Sequence, residues 1–99
     1  MAQKQIRWTS KAINDKFEIL DYWINRNKSK RFSEKLDLLF DKSLEQLKKF
    51  PDQGKRTNYK NIRIKIVRNY LMYYLLENEY IIVIRIWNAK RDPDKIKLE

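Results

Sequence analysis

An α+β fold in the order β-α-α-β-β-β is predicted by three observations. Apolar residues recur at helical spacing in two stretches between residues 11 and 49, and at strand spacing in three runs after residue 60. Between the two regions lies the segment holding the only glycine, Gly54, and one of only two prolines, Pro51. The expected architecture is a helical hairpin packed on one face of a small, mainly antiparallel, four-stranded sheet. Ninety-nine residues suit a single domain spanning 1–99, with 42% apolar and 36% charged residues giving one core and a charged surface.

The first strand is read at Ile6 and Trp8, which alternate with Gln5 and Arg7. Thr9-Ser10 supplies a helix N-cap, since a hydroxyl accepts from an otherwise unpaired backbone N–H, and the first helix starts near Lys11. Its stripe is Ile13, Phe17, Leu20 and Ile24, widened by Ala12, Ile19 and Trp23. Asn25-Arg26-Asn27-Lys28-Ser29 breaks the pattern. Phe32, Leu36, Leu39, Phe40, Ser43, Leu44 and Leu47 restore it in a second, antiparallel helix. Lys48 and Lys49 suit the negative pole of that helix, and Pro51 stops it.

Residues 51–58 read as a surface loop. In the second strand Ile62-Arg63-Ile64-Lys65-Ile66 alternates apolar with basic, so the isoleucines are expected to enter the core while Arg63 and Lys65 stand on the opposite, open face. Tyr70–Leu76 is apolar on both faces and therefore central. Tyr80–Trp87 follows the tight Glu77-Asn78-Glu79 turn and completes a meander.

The formal charge of +10 implies affinity for polyanions, and Lys55, Arg56, Lys60, Arg63, Lys65 and Arg68 occur with no acidic residue among them. The absence of Cys leaves no disulfide framework and fits a reducing cytoplasm; the chain also has no histidine. The usual zinc ligands and the usual base of nucleophilic triads are thus missing, and one glycine cannot build a phosphate loop; no cofactor or metal is expected. Asp15, Glu18, Asp21, Glu34, Asp37, Asp41 and Glu45 read as solvated helix faces. No apolar run approaches the roughly 18 residues that span a bilayer, so no membrane partner is expected.

One reaction class remains open without a metal: attack of an RNA 2′-hydroxyl on its own phosphate. Guanidinium and ammonium groups would stabilise the developing charge, and a lysine or tyrosine would move protons. The candidates are Arg63, Lys65, Arg68, Lys90 and Arg91. Their convergence requires long side chains to bridge the roughly 10 Å that one intervening strand imposes. Stacking on a tyrosine is the alternative to core packing for Tyr70, Tyr73 and Tyr74, with core packing favoured; Trp8, Trp23 and Trp87 are likewise read as packing residues.

Four segments, in this order, carry a resemblance: Trp8-Thr9-Ser10-Lys11-Ala12 before the hairpin, Phe50-Pro51-Asp52-Gln53-Gly54 closing it, Asn69-Tyr70-Leu71-Met72-Tyr73-Tyr74, and Trp87-Asn88-Ala89-Lys90-Arg91-Asp92-Pro93. Across nearly its whole length the chain resembles the RelE/ParE superfamily of toxins from bacterial type II toxin–antitoxin systems. The resemblance implies a cytoplasmic, growth-inhibiting toxin whose cognate antitoxin wraps it with a segment that folds on binding. Some branches cleave mRNA on the ribosome and others inhibit DNA gyrase. In the ribonuclease branch the site uses second-strand cations, matched by Arg63 and Lys65, and an Arg after the fourth strand, matched by Arg91. The third-strand Arg position holds Leu71, with Arg68 as a substitute, and the tail from Asp94 to Glu99 has neither Tyr nor His. Persistence of three basic positions tips the expectation toward mRNA cleavage; a gyrase inhibitor and an inactive antitoxin-binding member are the alternatives.

Overall fold

A computed structural model describes residues 3–91 and Ile96. The order is β1 (Gln5–Trp8), α1 (Ser10–Asn27), α2 (Arg31–Lys49), a short 3-10 turn (Pro51–Gln53), β2 (Lys55–Arg56), β3 (Ile62–Val67), β4 (Tyr70–Leu76) and β5 (Tyr80–Asn88). The expected α+β class and helical hairpin are present, but the sheet has five strands rather than four, in the order β1-β5-β4-β3-β2. The extra strand is the two-residue β2, too short to leave a pattern in the sequence. β1 runs parallel to β5 and every other pairing is antiparallel.

Thr9 makes the transition from strand to helix. Its backbone N–H donates to the Val83 carbonyl at 3.0 Å, and its hydroxyl donates to the Ile84 carbonyl at 3.1 Å while accepting from Ala12 N–H at 3.1 Å. α1 ends where Lys28 enters the left-handed region at φ 53°. The returning α2 is tied to α1 by the Ser33 hydroxyl, which donates to the Leu20 carbonyl at 2.6 Å, and by the Lys16–Asp37 ion pair at 2.8 Å.

The hairpin buries Ala12, Leu36, Phe40, Leu44 and Leu47 against Val67, Tyr70, Met72, Tyr74, Ile81, Val83 and Ile86 of the sheet. A second, smaller cluster of Tyr73, Ile84 and Trp87 lies on the far face, flanked by Ile62, Ile64, Leu71, Leu75, Ile82 and Ile96. This reverses the expected assignment of β3. Ile62 and Ile64 belong to the far face, and Ile66 is 49% exposed. Arg63 and Lys65 pair with Tyr74 and Met72 and share the helix-side face with them. Alternation established that the basic and apolar residues part company. It could not say which face meets the helices, because the sheet is apolar on both.

Both sets of central tyrosines are packing residues, in line with the core packing expected of each. Tyr70 and Tyr74 enter the main core and Tyr73 the second cluster. Burial raises the pKa of Tyr73, and raises that of Tyr74 against the opposing pull of a backbone hydrogen bond from Gly54 and of nearby Arg63. A raised acid pKa means that the folded state holds its proton longer than the unfolded chain. The stabilisation is therefore complete below about pH 10 and is lost as pH climbs through the raised folded values, at up to roughly 1.4 kcal/mol per pH unit for each tyrosine. Urea midpoints measured from neutral to strongly alkaline pH are expected to fall less steeply for Tyr73→Phe than for the parent; parallel curves would contradict this assignment.

Candidate functional site

Five cations were expected to surround one phosphate, and the register of the sheet decides whether they can. Arg63 sits at the β2 end of the molecule, where its guanidinium donates to the carbonyls of Asp52 at 3.1 Å and Gly54 at 3.0 Å and lies 3.7 Å from the Asp52 carboxylate. Lys65 donates to the Gln53 side-chain oxygen at 3.2 Å. The 3-10 turn that accepts from both is held by Tyr74, whose hydroxyl donates to the Pro51 carbonyl at 2.8 Å and accepts from Gly54 N–H at 3.0 Å. The two strand cations are thus engaged in fastening the segment after α2 onto the sheet.

Arg68, Lys90 and Arg91 lie at the opposite end. Arg68 forms the β3–β4 turn in the left-handed region, at φ 58°. Lys90 and Arg91 follow β5, with the Lys90 N–H donating to the Asn88 side chain at 2.9 Å and the Arg91 guanidinium 4.2 Å from the Trp87 ring centroid. Asn88 pairs with Tyr70, which pairs with Val67, whereas Arg63 pairs with Tyr74. Four strand positions along and two strands across put the Arg63 backbone roughly 16 Å from Asn88, and further from Arg91. The expected convergence counted the step across the sheet and omitted the step along it. Arg68, Lys90 and Arg91 share one end; Arg63 does not join them. Asp92, Pro93 and the tail positions lacking Tyr and His, other than Ile96, fall outside the described residues.

Beside Lys90 and Arg91 lies a cleft of about 480 Å³ between α1 and the free edge of β5, lined also by Glu18, Tyr22, Arg26 and Asn69. Its floor is held by Asp15, which sequence reasoning left on a solvated helix face. The carboxylate accepts from Arg85 Nε at 2.7 Å, from a second guanidinium nitrogen at 3.0 Å and from Ile86 N–H at 3.0 Å. The hydrogen bond that Arg85 donates to Asp15 is the largest cause of its raised pKa, so the guanidinium stays charged. The signal for this pair was Arg85 itself, the one cation within the apolar run Tyr80–Trp87. A further cleft of about 410 Å³ at the other end is lined by Arg56, Thr57, Tyr59, Lys60 and Arg63. Among the described residues no group of three or more acidic, His or Cys side chains is arranged to hold a metal ion, and no helix is long and apolar enough to cross a membrane.

Residues 6–93 match the family described as ParE toxin of type II toxin–antitoxin system, parDE. Among solved structures, a chain of the chromosomal ParDE toxin–antitoxin system from P. aeruginosa shares the fold with a TM-score of 0.76 at 16% identity, over 89% of this chain and 98% of that one. No curated protein matches the sequence significantly.

Proposed function

From the premise that the chain belongs to the ParE toxin family of type II toxin–antitoxin systems, we propose that it arrests growth by binding and inhibiting DNA gyrase, and that a cognate antitoxin neutralises it. The observation that carries this reading is the separation of the cations needed for RNA cleavage. Metal-free transphosphorylation requires charges and a proton carrier within hydrogen-bond reach of a single phosphate. Here Arg63 and Lys65 hold the post-helical turn, while Arg91 stands at the far end of the sheet over Trp87. A protein target makes a different demand, for apolar anchors on a rigid element. The hairpin offers them in Phe17, Leu38 and Phe50, which are 57%, 59% and 63% exposed.

The test is expression without antitoxin, combined with gyrase assays and mapping of mRNA 5′ ends. Stalled gyrase–DNA cleavage complexes and no new ends inside codons are expected. Lys65→Ala with Arg91→Ala is expected to leave arrest intact, whereas a ribonuclease using those cations would lose roughly 10²–10³-fold in cleavage. New codon-internal ends that vanish in the double variant would overturn the gyrase reading in favour of mRNA cleavage.

A further inference from the structure

The charges of α2 are sorted by side. Arg31, Lys35, Lys42 and Lys49 are separated by four, seven and seven residues, and seven residues return to within about 20° of the same helix direction. They form one exposed column. Glu34, Asp37, Asp41 and Glu45 form a second column on the side toward α1, where Asp37 pairs with Lys16. Glu45–Lys49 is the one opposite-sign pair at i,i+4 between the two columns, and Arg31–Glu34 and Lys42–Glu45 stand at i,i+3. Within α2 the described ion pairs include only Lys48–Glu45, and none involves the four cations of the column. The column is therefore positive along its length, with its flanking carboxylates centred about a quarter turn away and not paired to it.

That side borders the outer edge of β3. A groove of about 340 Å³ runs between them, with Lys42, Ser43 and Gln46 on the helix, Lys65 on the strand and Arg68 in the turn after it. β2 pairs only with Arg63 and Ile64, so the backbone edge of Lys65–Val67 has no strand partner. Asp52, at the β2 end of the sheet, lies 3.7 Å from Arg63 and is opposed by it.

We propose that this α2–β3 face is a docking surface for the sugar–phosphate backbone of duplex DNA. The column from Arg31 to Lys49 extends about 27 Å at 1.5 Å per residue, the length of roughly eight base pairs, and a second row of cations and free backbone groups lies across the groove. An acidic peptide added as a strand would use only the free edge, about 10 Å of three residues, and would leave most of the column unmatched. The apolar lining of the groove is Leu39, Ile66 and the buried Val67, and the exposed Leu38 stands beside the column at helical spacing. A polyanion of regular charge spacing matches the whole length. The proposal stands on charge placement and does not depend on gyrase being the target.

The test is fluorescence polarisation of a short labelled duplex over a range of salt concentrations, using two triple variants of equal net charge. Lys35→Glu/Lys42→Glu/Lys49→Glu is expected to lose at least about tenfold in affinity at physiological salt and to flatten the log–log salt slope by roughly three. Lys11→Glu/Arg26→Glu/Lys90→Glu, on the other side, is expected to lose less than about threefold, because its charges act only through the screened field. The corresponding Lys→Gln triple on α2, checked for an unchanged thermal transition, should flatten the slope in the same direction. Equal losses in the two charge-reversed variants would overturn the proposal and leave bulk charge as the cause. It would also be overturned if the α2 variant kept its DNA affinity and lost neutralisation by the antitoxin, which would assign the face to an acidic peptide.

Discussion

Gly54→Ala is expected to destabilise the fold by about 3 kcal/mol, lowering the midpoint of thermal unfolding by roughly 15 °C in a chain of this size. The reason is room, since the Gly54 φ of −70° is open to any residue. A Cβ there would sit 2.4 Å from the Tyr74 hydroxyl and 2.8 Å from the Ile64 carbonyl, both well inside contact distance. Relieving the first clash would displace the phenol from its bonds to Gly54 N–H and the Pro51 carbonyl. Tyr74→Phe alone is expected to cost about 2 kcal/mol for the buried groups it leaves unpaired. The double variant removes the hydroxyl that the new methyl meets, so it is expected to be more stable than the sum of the singles predicts, by about 1 kcal/mol, while the carbonyl clash keeps the rescue partial. Urea unfolding of the four proteins measures this. Strict additivity, or an alanine variant as stable as the parent, would show that the approach is not tight. The Gly54 carbonyl also accepts from Arg63, so the strained turn and the guanidinium that fastens it share one anchor.

How far the sequence could be read depends on whether the signal was local. The helix boundaries rested on Thr9, on the Asn25–Ser29 break and on Pro51, and each acts within one turn of itself. The structure places helix termini at those positions. Strand existence was equally local, through the runs at 62–66, 70–76 and 80–87. What needed the assembled sheet was less accessible. The packing side of Arg63 and Lys65 depends on where α2 and the following turn lie, and the parallel pairing of β1 with β5 joins residues more than seventy positions apart. For the candidate site, the residue types were legible and their separation was not, since distance along the strands follows from the β3–β4–β5 register. The charge columns of α2 were present in the sequence at helical period. A linear search for basic runs finds Lys55–Arg68 and passes over four cations spread across nineteen residues.

Asp15→Ala is expected to be the most damaging single change to the fold, at about 4 kcal/mol, because it removes the carboxylate that two nitrogens of the part-buried Arg85 guanidinium bond and the acceptor for Ile86 N–H. The two side chains are 13% and 18% exposed, so water replaces only part of what is lost. A β-bulge sets up this dependence. Between Tyr73 and Tyr74 the β4–β5 register shifts by one, with Tyr73 opposite Arg85 and Tyr74 opposite Val83. Arg85 is thereby turned toward α1 beyond the point where β1 stops pairing at Val83. Asp15 serves that edge in place of a strand. Asp15→Asn keeps a neutral acceptor and is expected to cost less, about 2 kcal/mol. Replacing both partners, as Asp15→Leu with Arg85→Met, is expected to be less harmful than Asp15→Ala alone, since no charge is then left buried. Guanidinium unfolding of these variants tests the order: a double variant less stable than Asp15→Ala would mean that the pair contributes through geometry that apolar packing cannot replace. Because the ion pair fastens α1 beside the cleft bearing Lys90 and Arg91, loosening it should also raise hydrogen exchange at Ile86 before the rest of β5.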